Sequence, residues 1–149
     1  MKIVVDTNIV FSAILNSSSR IVKILIHSKD HFQFYTCNFL QTEIRKHRSK
    51  LQKRTGLLTE EIEELESLVI QNITFINEVL IPEKILVATE TMLKEIDLND
   101  TPFVALTRHL KAKLWTGDKQ LISGLKSKNF KNIITTAELS KLLDELERE

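Results

Sequence analysis

Apolar positions along the chain fall into short β-branched runs that alternate with longer stretches of helical spacing. Residues 2–5, Lys-Ile-Val-Val, read as a strand ending at Asp6, and the apolar stretch 9–15 reads as a helix packed directly on a sheet. Ser18 or Ser19 stands as N-cap before Ile21, Val22, Leu25 and Ile26 at helical spacing, and residues 32–35 alternate like a strand. Asn38 and Gln41 resemble a capping box for a helix that carries Glu43, runs to about Arg54 and ends at Gly56. Thr59 then caps a helix burying Ile62, Leu65, Leu68 and Val69, and residues 73–76 form a strand. Pro82 and Pro102 each suit the first turn of a helix, reaching about Lys94 and about Leu110. Residues 113–116 are a strand closed by Gly117, Asp118 opens a short helix, and residues 133–135 are the last strand. Thr135 and Glu138 cap a C-terminal helix.

Five short strands alternating with helices predict a mostly parallel five-stranded sheet covered on both faces, a three-layer α/β/α sandwich. With 149 residues, no repeat and no Gly- or Ser-rich linker, the chain reads as one domain over 1–149. Its three Gly and two Pro, with 42% apolar residues, argue against disorder and against a many-turned all-β sandwich. Lys and Arg number 21 against 20 Asp and Glu, so any charge signal must be local. Cys37 has no partner for an internal disulfide and no zinc-like neighbours in sequence, which suits a reducing compartment. No apolar run approaches the roughly 18 residues of a membrane span, and Asp6 and Asn8 interrupt the one signal-like segment. A soluble, cytoplasmic protein with no membrane partner is expected.

In open parallel sheets the functional crevice lies beyond the carboxyl ends of the strands, where strand order reverses. Asp6 ends the first strand, Asp118 follows the strand 113–116, and Asp100 lies in the loop entering the preceding helix, so three carboxylates point to one rim. Glu43 is the only acid between His31 and Thr59, in a stretch that also carries Arg45, Lys46, Arg48, Lys50, Lys53 and Arg54. Clustered carboxylates repel one another, so such a group calls for a metal or a basic partner, and oxygen-only ligation suits Mg²⁺ or Mn²⁺. Singly, Asp6, Asp100 and Asp118 also read as turn or cap residues; it is the set that carries the chemistry. His27 and His31 share i, i+4 spacing, but the strand signal at Phe32 ends that helix; Trp115 and Cys37 read as core. A haloacid-dehalogenase-type phosphatase would want an acid at Asn8, and a dinucleotide site would want a glycine-rich turn at 7–10.

Together V-V-D-T-N-I-V (4–10), Glu43 on its helix, D-L-N-D-T-P-F-V-A-L (97–106) and L-W-T-G-D-K-Q-L (114–121) resemble the PIN domain family, in order and over essentially the whole chain. The resemblance implies an α/β/α fold, divalent-metal ribonuclease activity and, in prokaryotes, a frequent role as the toxin of a toxin-antitoxin pair. It makes Asp6, Glu43, Asp100 and Asp118 the catalytic and metal-holding acids, adds Asp97 as an extra ligand or neighbour, and makes Asn8 and Thr116 supporting polar groups. Lys119 and Gln120 follow Asp118 where many members carry a further acid, which leaves the number of ions open. Family members are often homodimers, and an antitoxin protein is an implied partner.

The implied activity is that of an Mg/Mn-dependent endoribonuclease hydrolysing phosphodiester bonds of single-stranded RNA. Arg45, Arg48 and Lys53 could follow the RNA phosphates. The same basic run also reads as a solvated helix face, paired with the acids of the next helix. The competing reading of the whole is a non-catalytic PIN-fold module that binds RNA or protein without cutting.

Overall fold

A computed structural model describes residues 1–149. Five strands, β1 (Lys2–Val5), β2 (Gln33–Cys37), β3 (Ile73–Ile76), β4 (Lys113–Trp115) and β5 (Ile133–Ile134), form one sheet in the order β3-β2-β1-β4-β5. Every pairing is parallel; Val4 of the central strand stands between Tyr35 and Leu114, and Val5 stands beside Trp115. A strand paired on both sides and covered on both faces is apolar where it is buried, and after the exposed Lys2 the residues Ile3, Val4 and Val5 are fully buried.

Nine helices cover the sheet: α1 (Thr7–Leu15), α2 (Arg20–His27), α3 (Phe39–Lys46), α4 (Arg48–Thr55), α5 (Thr59–Ile70), α6 (Glu83–Leu93), α7 (Thr101–Leu110), α8 (Lys119–Ser127) and α9 (Thr136–Glu147). Right-handed crossovers decide their sides. The steps from β1 to β2 to β3 run one way and place α1 to α5 on one face; those from β3 to β4 to β5 run the other way and place α6 to α8 opposite. In keeping with this, α7 packs across β1, β2 and β4 with α6 outside it, and α9 returns to α2. Trp115 is buried core whose Nε1–H donates to Thr136 Oγ1 at 2.9 Å, pinning the start of α9 to the sheet. No helix is long and apolar enough to cross a membrane.

The local expectations hold for the elements that position the crevice and fail at several caps. The predicted helix from Asn38 to Arg54 is two helices, broken at His47 (φ −104°, ψ 13°). The His47 ring stacks edge-on against Phe11 of α1 at 5.8 Å, and Arg48 turns to Glu63 and Glu66 of α5, so tertiary partners bend a segment that has no Gly or Pro. Asn38 does not cap α3: its backbone is αR (φ −62°, ψ −22°) rather than extended as a capping residue's is, and its N–H bonds Ile76 O at 3.3 Å. The cap comes from Glu78, whose Oε1 accepts the Phe39 N–H at 3.0 Å. Thr59 opens α5 without capping it; its hydroxyl accepts from the Gln52 amide at 2.6 Å, while Glu61 reaches back to the Leu58 N–H. Leu68 is 44% exposed, and Ser19, at the N-cap of α2, makes no capping bond. Gly56 (φ 69°) ends α4 and the Thr135–Glu138 box starts α9, as expected.

Candidate active site

The strand order reverses between β1 and β4, and the crevice beyond their carboxyl ends collects the predicted acids. Asp6, 4% exposed, follows β1 directly; its Oδ1 accepts the Thr7 N–H at 2.8 Å and its Oδ2 the Thr116 hydroxyl at 2.7 Å. Asp118 follows β4 and caps α8, with Oδ1 accepting from the N–H groups of Gln120 (3.0 Å) and Leu121 (3.1 Å). Thr116 joins the two: besides bonding Asp6, its oxygen accepts from the Asp118 N–H at 3.1 Å and from Asn8 Nδ2 at 3.3 Å. Asn8 also accepts the Gly117 N–H at 3.3 Å, so it bridges the loops after both central strands.

Glu43 comes from α3. Thr7, a buried residue of α1, donates its hydroxyl to Glu43 Oε1 at 2.6 Å. Thr7 thereby links α3 to the strand-end turn, a role not assigned to it from sequence; its place directly after Asp6 is the only clue. Asp100 ends the 3-10 turn Leu98–Asp100 at the start of α7, where its carboxylate caps nothing, and beside it the buried Thr101 hydroxyl has no partner. Asp97 is exposed and accepts the Asn99 N–H at 2.9 Å, an ordinary cap of that turn.

Two of these acids, Asp6 and Asp100, are shifted by their surroundings. Burial, followed by the charges of Glu43 and Asp118, raises Asp6 to about 6 against the hydrogen bonds from Thr116 and Thr7. Burial also raises Asp100, with the charges of Asp6, Asp97, Asp118 and Glu43 adding to it, to about 8. No Lys, Arg or His forms a salt bridge with Asp6, Glu43, Asp97, Asp100 or Asp118. The donor set is all hard oxygen and uncompensated in charge, which fits Mg²⁺ or Mn²⁺. No three of these side chains stand close enough to grip one ion as they are placed.

The basic run divides. Arg48 is held by Glu63 at 3.5 Å and Glu66 at 3.3 Å, whereas Arg45, Lys46, Lys50, Lys53 and Arg54 are exposed. Between α1 and α4 a concavity floored by Phe11, Leu15 and Leu51 is bordered by Lys50 and Arg54. His27 ends α2 and His31 lies beyond it, so the two imidazoles do not share a helix face. Burial pushes the Cys37 thiol up, as befits an inert core residue.

The family described as PIN domain matches residues 4–140. The crystal structure of VapBC2 from Rickettsia felis bound to a DNA fragment from their promoter contains a chain of similar fold. Its TM-score is 0.68 and its identity 18%, over 91% of this chain and 97% of that one. No curated protein matches the sequence.

Proposed function

The chain belongs to the PIN domain family, and we propose that it is a divalent-metal-dependent endoribonuclease acting on single-stranded RNA, the toxin of a toxin-antitoxin pair. One observation carries the reading. Asp6, Glu43, Asp100 and Asp118 lie within electrostatic reach of one another, with no salt bridge to any of them, which supports the reading. Two of them are held at raised pKa by burial and mutual charge. An arrangement that costs stability in the free protein is accounted for by a ligand that repays it.

Asp6, Asp118 and Asp100, with Glu43, would hold Mg²⁺ or Mn²⁺, and Asp97 stands near enough in sequence to join them. When bound, the ion supplies Lewis-acid polarisation of the scissile phosphate and a more acidic attacking water. The chain's own work is orientation. Thr116 fixes Asp6 and, through Asn8, ties the β1 loop to the β4 loop. Thr7 holds one Glu43 oxygen and leaves the other to orient water. Exposed Arg45 and Lys53, rather than the already paired Arg48, would follow the RNA phosphates.

The antitoxin reading is supported by the fold shared with a chain of the VapBC2 complex. The concavity between α1 and α4, apolar below and basic at its border, suits an acidic amphipathic segment of such a partner. A second copy of the chain and a cytoplasmic setting are expected from the family.

Cleavage of a panel of single-stranded RNAs with Mg²⁺ or Mn²⁺, abolished by EDTA and by Asp6→Asn or Asp100→Asn, is the expected result. Activity that survives chelation, or hydrolysis of phosphomonoesters alone, would refute it. The non-catalytic reading draws on one fact, that no three acids grip an ion as placed. RNA binding without cleavage across that panel would establish it.

A further inference from the structure

Of the three glycines, only Gly124 is confined. A Cβ there would stand 2.7 Å from Cδ1, 2.8 Å from Cγ1 and 3.2 Å from Cγ2 of Ile96, whereas one at Gly56 or Gly117 would meet nothing within 4 Å. Gly124 lies inside α8, where glycine is a poor helix former, and its φ is not positive. Its missing side chain is therefore explained by the close approach of Ile96 and by nothing in the backbone.

The two sides of this contact lead to different acids of the cleft. Ile96 immediately precedes Asp97 and the turn that ends at Asp100; α8 begins at the cap Asp118. Ile96 is β-branched and stiff at χ1, and two of the three carbons, Cγ1 and Cγ2, cannot be moved by rotation about χ2. Lys128, at the far end of α8, reaches Glu95 at 3.7 Å and closes the same seam one residue away.

We propose that Gly124 is a positioning residue: its bare backbone lets Ile96 seat against α8, and that contact sets the spacing between the acid-bearing segment 97–100 and Asp118. The consequence for metal binding rests on the nuclease reading above; the geometric claim does not. A methyl group on Gly124 meets three carbons of one stiff side chain, so Ile96 must withdraw and carry the start of the 97–100 segment with it. Ile96→Ala removes all three of those carbons.

The test compares wild type, Gly124→Ala, Ile96→Ala, the double variant and a remote core control, Leu143→Ala, by Mn²⁺ titration followed through thermal stability. Gly124→Ala should weaken Mn²⁺ binding about tenfold, as losing support for metal ligands typically does. The double variant should return to within about threefold of wild type, since the two changes share one contact. Leu143→Ala should melt earlier and bind Mn²⁺ as wild type does. Amide spectra of the metal-free proteins supply the second readout: Gly124→Ala should shift residues 97–100 and 118–120, and the double variant should shift them back. If wild type ignores Mn²⁺, the nuclease reading fails and the spectra alone decide the positioning role. Shifts confined to the neighbours of Gly124, or a double variant no closer to wild type than Gly124→Ala, overturn it. Should Gly124→Ala not fold, a double variant that folds and binds Mn²⁺ supports the inference and one that does neither overturns it.

Discussion

Replacing Asp100 with asparagine should stabilise the metal-free protein at neutral pH. The substitution is nearly isosteric, and the carboxylate it removes caps nothing, so no packing or capping bond is lost. What it removes is charge. Asp100 is raised from 3.8 to about 8, first by burial and then by Asp6, Asp97, Asp118 and Glu43. A carboxyl whose folded pKa lies above its unfolded one favours folding most when protonated. Its contribution is complete below about pH 4 and is lost as the pH climbs through the folded value near 8. Taken at face value, the loss at pH 7 is about 4 kcal/mol. The side chain is only partly buried, so solvent screening reduces this to about 1–2 kcal/mol. For a chain of this length that is a rise in Tm of about 3–6 °C.

The assay is thermal unfolding of wild type and Asp100→Asn from pH 4 to 8 in EDTA. The two curves should coincide near pH 4, where Asp100 is protonated, and separate steadily above pH 5, with the variant higher. A variant that melts below wild type at pH 7, or a difference that does not change with pH, would show that Asp100 is not held in repulsion and would remove the main electrostatic argument for the metal site.

Saturating Mn²⁺ should stabilise wild type by about 3–4 kcal/mol at 100 to 1,000 times its dissociation constant, and Asp6→Asn and Asp118→Asn much less, as read by Tm against Mn²⁺ concentration. In EDTA at pH 7, Asp118→Asn should melt at or above wild type, because asparagine still caps α8 and one repelling charge is gone. Thr116→Val should lower metal affinity about 10- to 100-fold, measured by calorimetry, since its hydroxyl orients Asp6 and meets the Asp118 N–H. Neutralising Arg45 and Lys53 together should lower the slope of log affinity for RNA against log salt by about 1–2, whereas neutralising Arg48, already paired with Glu63 and Glu66, should leave that slope unchanged and cost stability.

What the sequence reveals of this fold is what short-range rules govern. Alternation of β-branched runs with helical spacing determines a parallel sheet, and the strand-end rule then takes Asp6 and Asp118 to one rim without any knowledge of which strands pair. Asp100 could be read beside them because Pro102 marks the helix that follows it. The unread parts each depend on a partner distant in the chain. Residues 46–48 carry no helix breaker, and only Phe11, Glu63 and Glu66 bend the helix there. Glu78 caps a helix that begins 39 residues earlier, so no local box could have announced it. Thr7 reads as an unremarkable first helical residue until α3 brings Glu43 within 2.6 Å of its hydroxyl.

The same distinction explains how the acids are held. Their local roles, Asp6 at a strand end, Asp97 and Asp118 at caps, would each satisfy a carboxylate in isolation. Those roles place them but do not neutralise them, because backbone N–H groups offer hydrogen bonds and only a partial charge. The remaining charge is met by no basic side chain, although 21 Lys and Arg are present and several occupy the very helices that follow Glu43. A fold that needed only stability could have turned one of them inward. Arg48 does face acids, but they are Glu63 and Glu66 on α5. The charge of the cleft acids is thus left unmet by the protein's own bases, and under the function proposed above a divalent ion would meet it where an internal salt bridge would have closed the site.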